Sequence, residues 1–395
     1  SVSSYAIASI FSSLVVSVET LKKEAFAEKE ISAEQYDELQ NLGKTEEEKE
    51  LAKKEQDRDP PEAVHNRIRK LASTNVPRAM VKLMEGASEH TQELLVVGMT
   101  RMAIEESVRG LMVQQGVLTA CIKFENGDNP SETAKKTLRH ARHCIAKLLV
   151  TLNPSLLTSS QRMGAIKPLV QLIRDNESSD LQQFEALMSV TNLASMGDET
   201  KNRIVAEKGV GTLSYAMFSE HESVRQAATE AMTNLVPHPD VMKHLADPEH
   251  LRLFFAFAAD YQENFPCARA AAGCLAMASQ DPKIATAMVQ IKTFSETTHV
   301  LLECGNLELM HRGLILVLNL VYQQDANDKD DGGKSPMSKC KKTVIEAGLV
   351  AFCAAYVESY HDGQKAANDL QFSQADQALM ATTVDIAKEI LQACE

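Results

Sequence analysis

Four sets of residues have types and spacings that could do chemistry. Gly43-Lys44-Thr45 ends like a phosphate-binding loop, in which backbone N–H groups cradle phosphates and the lysine neutralises them. That motif needs a leading glycine at position 38, which is Glu38, and a strand before it, which the pattern lacks. Gly209-Val210-Gly211 lacks the third glycine and the strand of a dinucleotide fold. His140, His143 and Cys144 share one helical pattern, and His140 and Cys144 at i,i+4 have a spacing that can ligate zinc. No second pair of ligands lies nearby. His238, His244 and His250 recur six residues apart across loop-like sequence and read as surface or packing histidines. GxSxG and HExxH are missing, and no pair of carboxylates stands apart from helical surface charge. The chain is therefore read as a binding protein without catalysis, cofactor or metal.

The elements that must position any site are helical. The 395 residues are 44% apolar and only 5% aromatic, with no Trp and a formal charge of −13. Good helix formers dominate, and alternating strand-like runs are missing. The negative balance argues against nucleic acid as a ligand, since phosphate neutralisation needs clustered Lys and Arg. No apolar run reaches membrane-spanning length. Eight cysteines without a CxxC pair fit buried thiols in a reducing compartment, the cytosol.

One motif occurs twice, EALMSVTNLA at 185–194 and EAMTNLV at 230–236, with Asn192 and Asn234 42 residues apart. Between them RIVAEKGVGTLSYAMF predicts two short helices with Gly209 at the corner. A helical unit of about 40–47 residues is the mark of an armadillo or HEAT solenoid. Corners at Gly116, Gly164, Gly209 and Pro248 fall 48, 45 and 39 residues apart, and Gly348 marks a later one. A ladder at Asn192, Asn234, Cys274 and Asn319 steps by 42, 40 and 45. Two marks with one period predict an all-α, right-handed armadillo-repeat superhelical solenoid.

The domain organisation follows. Residues 1–26 contain a lone third helix, a partial armadillo repeat with an apolar face, so the sequence reads as part of a longer protein. Residues 27–62 hold 13 acidic and 6 basic residues and read as a solvated acidic insertion. Residues 63–395 carry the main solenoid, interrupted by a hydrophilic, disordered loop at 323–342.

Third helices line the binding face of such a stack, and residues at i, i+4 and i+8 share a stripe. Counting back from the ladder gives Phe184, Met188 and Asn192, then Gln226, Glu230 and Asn234. Pro266, Ala270 and Cys274 come next, then His311, Ile315 and Asn319. Asn amides both donate and accept, so they can hold the backbone of an extended peptide. They can equally cap or bridge a neighbouring repeat. Phe184 and Met188 fit the core as well as the groove.

EALMSVTNLAS (185–195), RIVAEKG (203–209), FSEHESVRQAATEAMTNLV (218–236) and CGNLELMHRGLILVLNLV (304–321) resemble the UCS domain. This is the C-terminal armadillo-repeat region of the UNC-forty-five type myosin chaperones. The resemblance covers most of 63–395 and implies a chaperone that binds the myosin motor domain (part of the heavy chain), promotes its folding and prevents its aggregation. It places the client in the groove, at the stripe residues above, and Asn192 and Asn234 foremost. It implies a cytoplasmic protein, with sarcomere association as an option. Full-length animal members dock the Hsp-ninety chaperone through a TPR domain, a pattern missing from this sequence. Residues 1–26 would belong to the preceding neck region. The alternative is a generic armadillo scaffold or adaptor for an extended peptide. Nuclear import receptors of that kind place Trp one turn before the ladder Asn, where this chain has Met188, Glu230, Ala270 and Ile315.

Overall fold

The computed structural model describes residues 2–17, 20–21, 45, 59–124, 130–323, 338–366 and 373–395. Nearly all of the expected acidic insertion, and 324–337 of the expected loop, lie outside them. Among the described residues every regular element is helical. The chain divides into two compact units, Ser1–Leu193 and Ala194–Glu395.

The first unit begins with α1 (Val2–Leu14). It continues with three helices, α2 (Pro61–Ser73), α3 (Val76–Met84) and α4 (Glu89–Met102). The next set is α5 (Arg109–Gln114), α6 (Val117–Lys123) and α7 (Glu132–Leu149), followed by α8 (Ser159–Arg174) and α9 (Asp180–Ala194). The second unit holds three full sets. They are α10 (Asp198–Ala206), α11 (Gly209–Ala216) and α12 (Glu222–Leu235); α13 (Pro239–Leu245), α14 (Pro248–Ala259) and α15 (Phe265–Ala278); and α16 (Pro282–Met288), α17 (Phe294–Glu303) and α18 (Leu307–Tyr322). It closes with α19 (Lys339–Glu346), α20 (Leu349–Ala366) and α21 (Gln374–Cys394). These are armadillo repeats, and the third helix of each packs beside the third helix of the next: α1 on α4, α4 on α7, α12 on α15, α15 on α18 and α18 on α21.

The boundaries follow from local chemistry. Ser131, Asp247, Asn264, Asp281, Asn306, Ser338 and Ser373 cap the helices after them with side-chain oxygens. Each satisfies N–H groups that a helix start leaves orphaned. Thr158 and Gln161 form a full capping box on α8. Pro61, Pro239, Pro248 and Pro282 open helices, where a missing N–H costs nothing. Pro248 therefore marks a helix start with an Asp247 cap.

Two of the expected corners differ. Gly116 does carry φ +93. Gly164 is no corner: it lies inside α8, where an added Cβ would come 2.9 Å from Ile122 Cγ2. The first helix of that repeat shrinks to one 3-10 turn at Pro154–Leu156. At the next corner the left-handed residue is Lys208, φ 62. Gly209 is needed for close approach instead, because a Cβ there would stand 2.6 Å from the Ile204 carbonyl oxygen. The loop expected to run to 342 ends sooner, since Lys339–Glu346 is helical with Ser338 as its cap.

Third helices are flanked on both sides, so they bury nearly their whole circumference. In α15, Ala268, Ala271, Ala272, Cys274 and Leu275 are all at most 1% exposed. Only a narrow stripe of each third helix reaches solvent. By contrast α1 leaves Ile7, Ile10 and Leu14 exposed, the apolar face expected of it.

Candidate binding face on the third helices

The residues of the expected stripe differ in exposure from helix to helix. Phe184, Met188 and Asn192 are half-buried on α9, as are Gln226, Glu230 and Asn234 on α12, and His311, Ile315 and Asn319 on α18. On α15 the count is out of phase. Pro266 is half-exposed, but Ala270 and Cys274 are buried, and Arg269 and Gly273, one residue earlier, are half-exposed instead. Cys274 is thus a core thiol, and burial pushes it well above its usual value.

The ladder asparagines need a correction. The Asn192 amide nitrogen donates to the Val150 carbonyl at 3.0 Å and to Leu149 at 3.4 Å. Asn319 donates to the Ala276 carbonyl at 2.9 Å and to Ser279 Oγ at 3.0 Å. Both reach back one repeat to the end of the preceding third helix. A helix end leaves its last carbonyls without partners, and a side-chain donor from the next repeat satisfies them. These two amides are spent on the stack and are not donors for a peptide. Asn234 is half-buried on α12.

The inter-repeat contacts in the first unit centre on Glu185, a residue the sequence pattern did not single out. It is 9% exposed and sits between His143 Nε2 at 2.6 Å and Lys147 Nζ at 2.7 Å. Burial alone would raise its carboxyl. The His143 and Lys147 bonds outweigh burial and lower it. The Gln182 amide nitrogen lies 3.3 Å from His143 Nδ1, which fits a tautomer with the proton on Nε2. Ser189 donates to the Ala146 carbonyl at 2.9 Å, so α7 and α9 are joined along their length. The one available signal was arithmetic: His143 and Lys147 precede Glu185 by 42 and 38 residues, about one repeat.

The histidines are accounted for by packing. His140 is pushed down to about 4, first by burial and then by neighbouring basic side chains, Lys136, Arg101 and Arg139 among them. Cys144 is buried against Cys121, whose thiol is raised by their hydrogen bond and by burial. His238 caps its own helix, and His244 bonds Ser214 Oγ at 2.6 Å while stacking on His250. Among the described residues no group of three His, Cys, Asp or Glu could hold a metal ion. No described helix is long and apolar enough to cross a membrane.

The second unit presents a more open row of polar groups. Arg269 on α15 lies between Glu230 on α12, at 3.9 Å, and Glu308 on α18, at 3.8 Å. Arg312 crosses beneath, donating to the Arg269 carbonyl, with its guanidinium over Gly273. Burial lowers the pKa of Arg312. Burial, then the Arg312 charge, lowers that of His311. Tyr322, 57% exposed, ends the row and donates to Glu389 on α21 at 3.1 Å. The face offers charge, amide, imidazole and apolar contacts, all suited to holding a chain segment. A cleft of about 550 Å³ is lined by Asp260, Tyr261, Glu296 and His299 among others.

No family model matches the chain. Protein unc-45 homolog B of Danio rerio is 28% identical over 327 residues, which cover 80% of this chain and 33% of that protein. UNC-45 from Drosophila melanogaster has a TM-score of 0.70 at 24% identity, over 85% of this chain and 38% of that one. The myosin chaperone UNC-45 from C. elegans, solved in complex with a Hsp90 peptide, has a TM-score of 0.65 at 22% identity, over 83% and 33%. The chain spans about a third of the length of the relatives it matches.

Proposed function

We propose that this chain, an armadillo stack of the UNC-45 UCS type, is the client-binding region of a myosin chaperone. It binds the myosin motor domain, promotes its folding and keeps it from aggregating, and it does so in the cytoplasm without catalysis of its own. The observation that carries this reading is the third-helix face. In the first unit its half-exposed stripe carries Phe184 and Met188, and in the second unit Ile315 lies among the polar Gln226, Glu230 and His311.

Such a face works by differential affinity. An unfolded or partly folded motor domain exposes apolar segments that associate with one another. A rigid stripe that takes those segments lowers the free concentration of the aggregation-prone state. The frame costs little to order, because the inter-repeat bonds of Asn192, Ser189 and Asn319 already fix the third helices. The Hsp90 contact of the C. elegans relative belongs, in this reading, to a TPR domain of a longer chain.

The test is light scattering of myosin motor domain at a temperature where it aggregates. The expected outcome is suppression that saturates near one chain per motor, with little effect on an unrelated heat-labile enzyme. Unchanged scattering of the motor domain overturns the reading. Equal protection of both proteins favours a general scaffold.

A further inference from the structure

We infer that the third-helix face of the second unit selects an extended client segment with an acidic residue flanked, three positions away on each side, by basic ones. This rests on the reading of that face as the client site, and it names the chemistry the site recognises.

The observation is the state of Arg269. Its guanidinium carries five N–H donors in a planar fork, a shape that matches a carboxylate in two parallel bonds. Among the described residues nothing hydrogen-bonds to it. Its two ion pairs, to Glu230 and Glu308, are 3.9 and 3.8 Å long and hold no hydrogen. The side chain is 42% exposed, and Glu308 is 49% exposed. These are loose contacts that a better partner can replace.

The neighbours explain why Arg269 stays uncommitted while its position is fixed. Arg312 is half-buried and spends a donor on the Arg269 backbone carbonyl. It packs closely on Gly273: a Cβ there would lie 3.3 Å from Arg312 Nη1, and the guanidinium would have to shift slightly. One arginine therefore braces α15 against α18, and the other presents its fork to the groove.

Spacing gives the rest. Glu230, Arg269 and Glu308 sit on three successive third helices, α12, α15 and α18. Packed helices lie about 8–10 Å apart, and a chain in the polyproline II conformation advances about 3.1 Å per residue with three residues per turn, so residues three apart share a face and span about one repeat. A client carboxylate seated on Arg269 would draw its fork away from Glu230 and Glu308. Those two would then accept Lys or Arg side chains from the residues three before and three after.

The test uses the full chain and two synthetic peptides, Lys-Ala-Ala-Glu-Ala-Ala-Lys and its charge-swapped form Glu-Ala-Ala-Lys-Ala-Ala-Glu. Fluorescence anisotropy at low salt is expected to show the first binding about ten-fold more tightly. Arg269→Gln is expected to remove that preference. The triple exchange Glu230→Lys, Arg269→Glu, Glu308→Lys is expected to reverse it, with far-ultraviolet dichroism confirming that the variant is folded. Equal binding of the two peptides, binding of neither, or a preference that survives the triple exchange overturns the inference. Suppression of motor-domain aggregation is read in parallel on the unaltered chain. If it persists when the peptides show no preference, only the charge pattern fails; if it is missing, the client reading itself fails.

Discussion

Replacing Glu185 by glutamine keeps the shape of the side chain and removes its charge. Its two carboxylate oxygens each hold one partner on α7, His143 at 2.6 Å and Lys147 at 2.7 Å, and all three side chains are buried. The variant leaves the Lys147 ammonium facing a neutral amide. Glutamine still offers one acceptor, so the loss is at least that of a hydrogen bond to a charged group, about 1.5–3 kcal/mol. It is at most that of an orphaned buried charge, about 3–5 kcal/mol. A loss of about 3 kcal/mol is the expected value on these bounds. Urea unfolding followed by far-ultraviolet dichroism at pH 7 reads it. The pair Glu185→Leu with Lys147→Met, which makes the contact apolar, should recover most of the loss. The sign with pH is fixed by the lowered carboxyl of Glu185. A depressed acid stabilises the fold above its unfolded value and loses that contribution as pH falls through its folded value. The gap between wild type and variant should therefore close below the ordinary value of 4.5. A Glu185→Gln loss under about 0.5 kcal/mol, with no coupling to Lys147, would mean the triad behaves as a solvated surface pair and would refute the reasoning.

Asn192→Ala should lower stability by about 1–2 kcal/mol in the same urea assay, as the loss of an inter-repeat hydrogen bond, while client affinity stays within two-fold on this logic. A large affinity loss at equal stability would return Asn192 to the site. Gly209→Ala should cost about 1–3 kcal/mol by thermal melting, because the clash is with a backbone carbonyl. Gly211→Ala, three-dimensionally open in the same helix, should instead be neutral or raise stability by up to about 1 kcal/mol. His299 is raised above 6.5, chiefly by its bond to the Ala347 carbonyl and despite partial burial, with Glu303 adding to it. A raised base stabilises the fold below its unfolded value and loses that contribution as pH rises through its folded value. His299→Gln should therefore destabilise more at pH 6 than at pH 8.5 in paired melts.

The repeat was legible because it is one-dimensional. Each third helix must meet its neighbour about 40–45 residues on, so bonds such as Ser189 to Ala146 and Asn319 to Ala276 recur at 43 residues. The same regularity hid the site. A third helix is buried on both flanks, so its pattern does not show which single stripe is open, and on α15 the count was one residue out. Asn192 illustrates a second limit. An amide that can grip a peptide is also the best cap for a neighbouring helix end, and only the position of the Val150 carbonyl separates the two. Gly164 and Gly209 show a third: glycine marks a corner only where φ is positive, and both are instead places where another residue comes too close for a Cβ. Arg269 and Glu185 did not stand out because their partners lie in other repeats, with only the one-repeat spacing to mark them.

The most direct measurement is site-specific photo-crosslinking to heated myosin motor domain. A benzoylphenylalanine is placed in turn at Met188, Gln226 and His311 on the third helices, and at the exposed Lys243 on α13 as the control. The expected result is crosslinks to the motor domain from the three third-helix positions and little from Lys243. Crosslinks from Lys243 alone, or none from any position while the probe is active, would contradict a client held on the third-helix face.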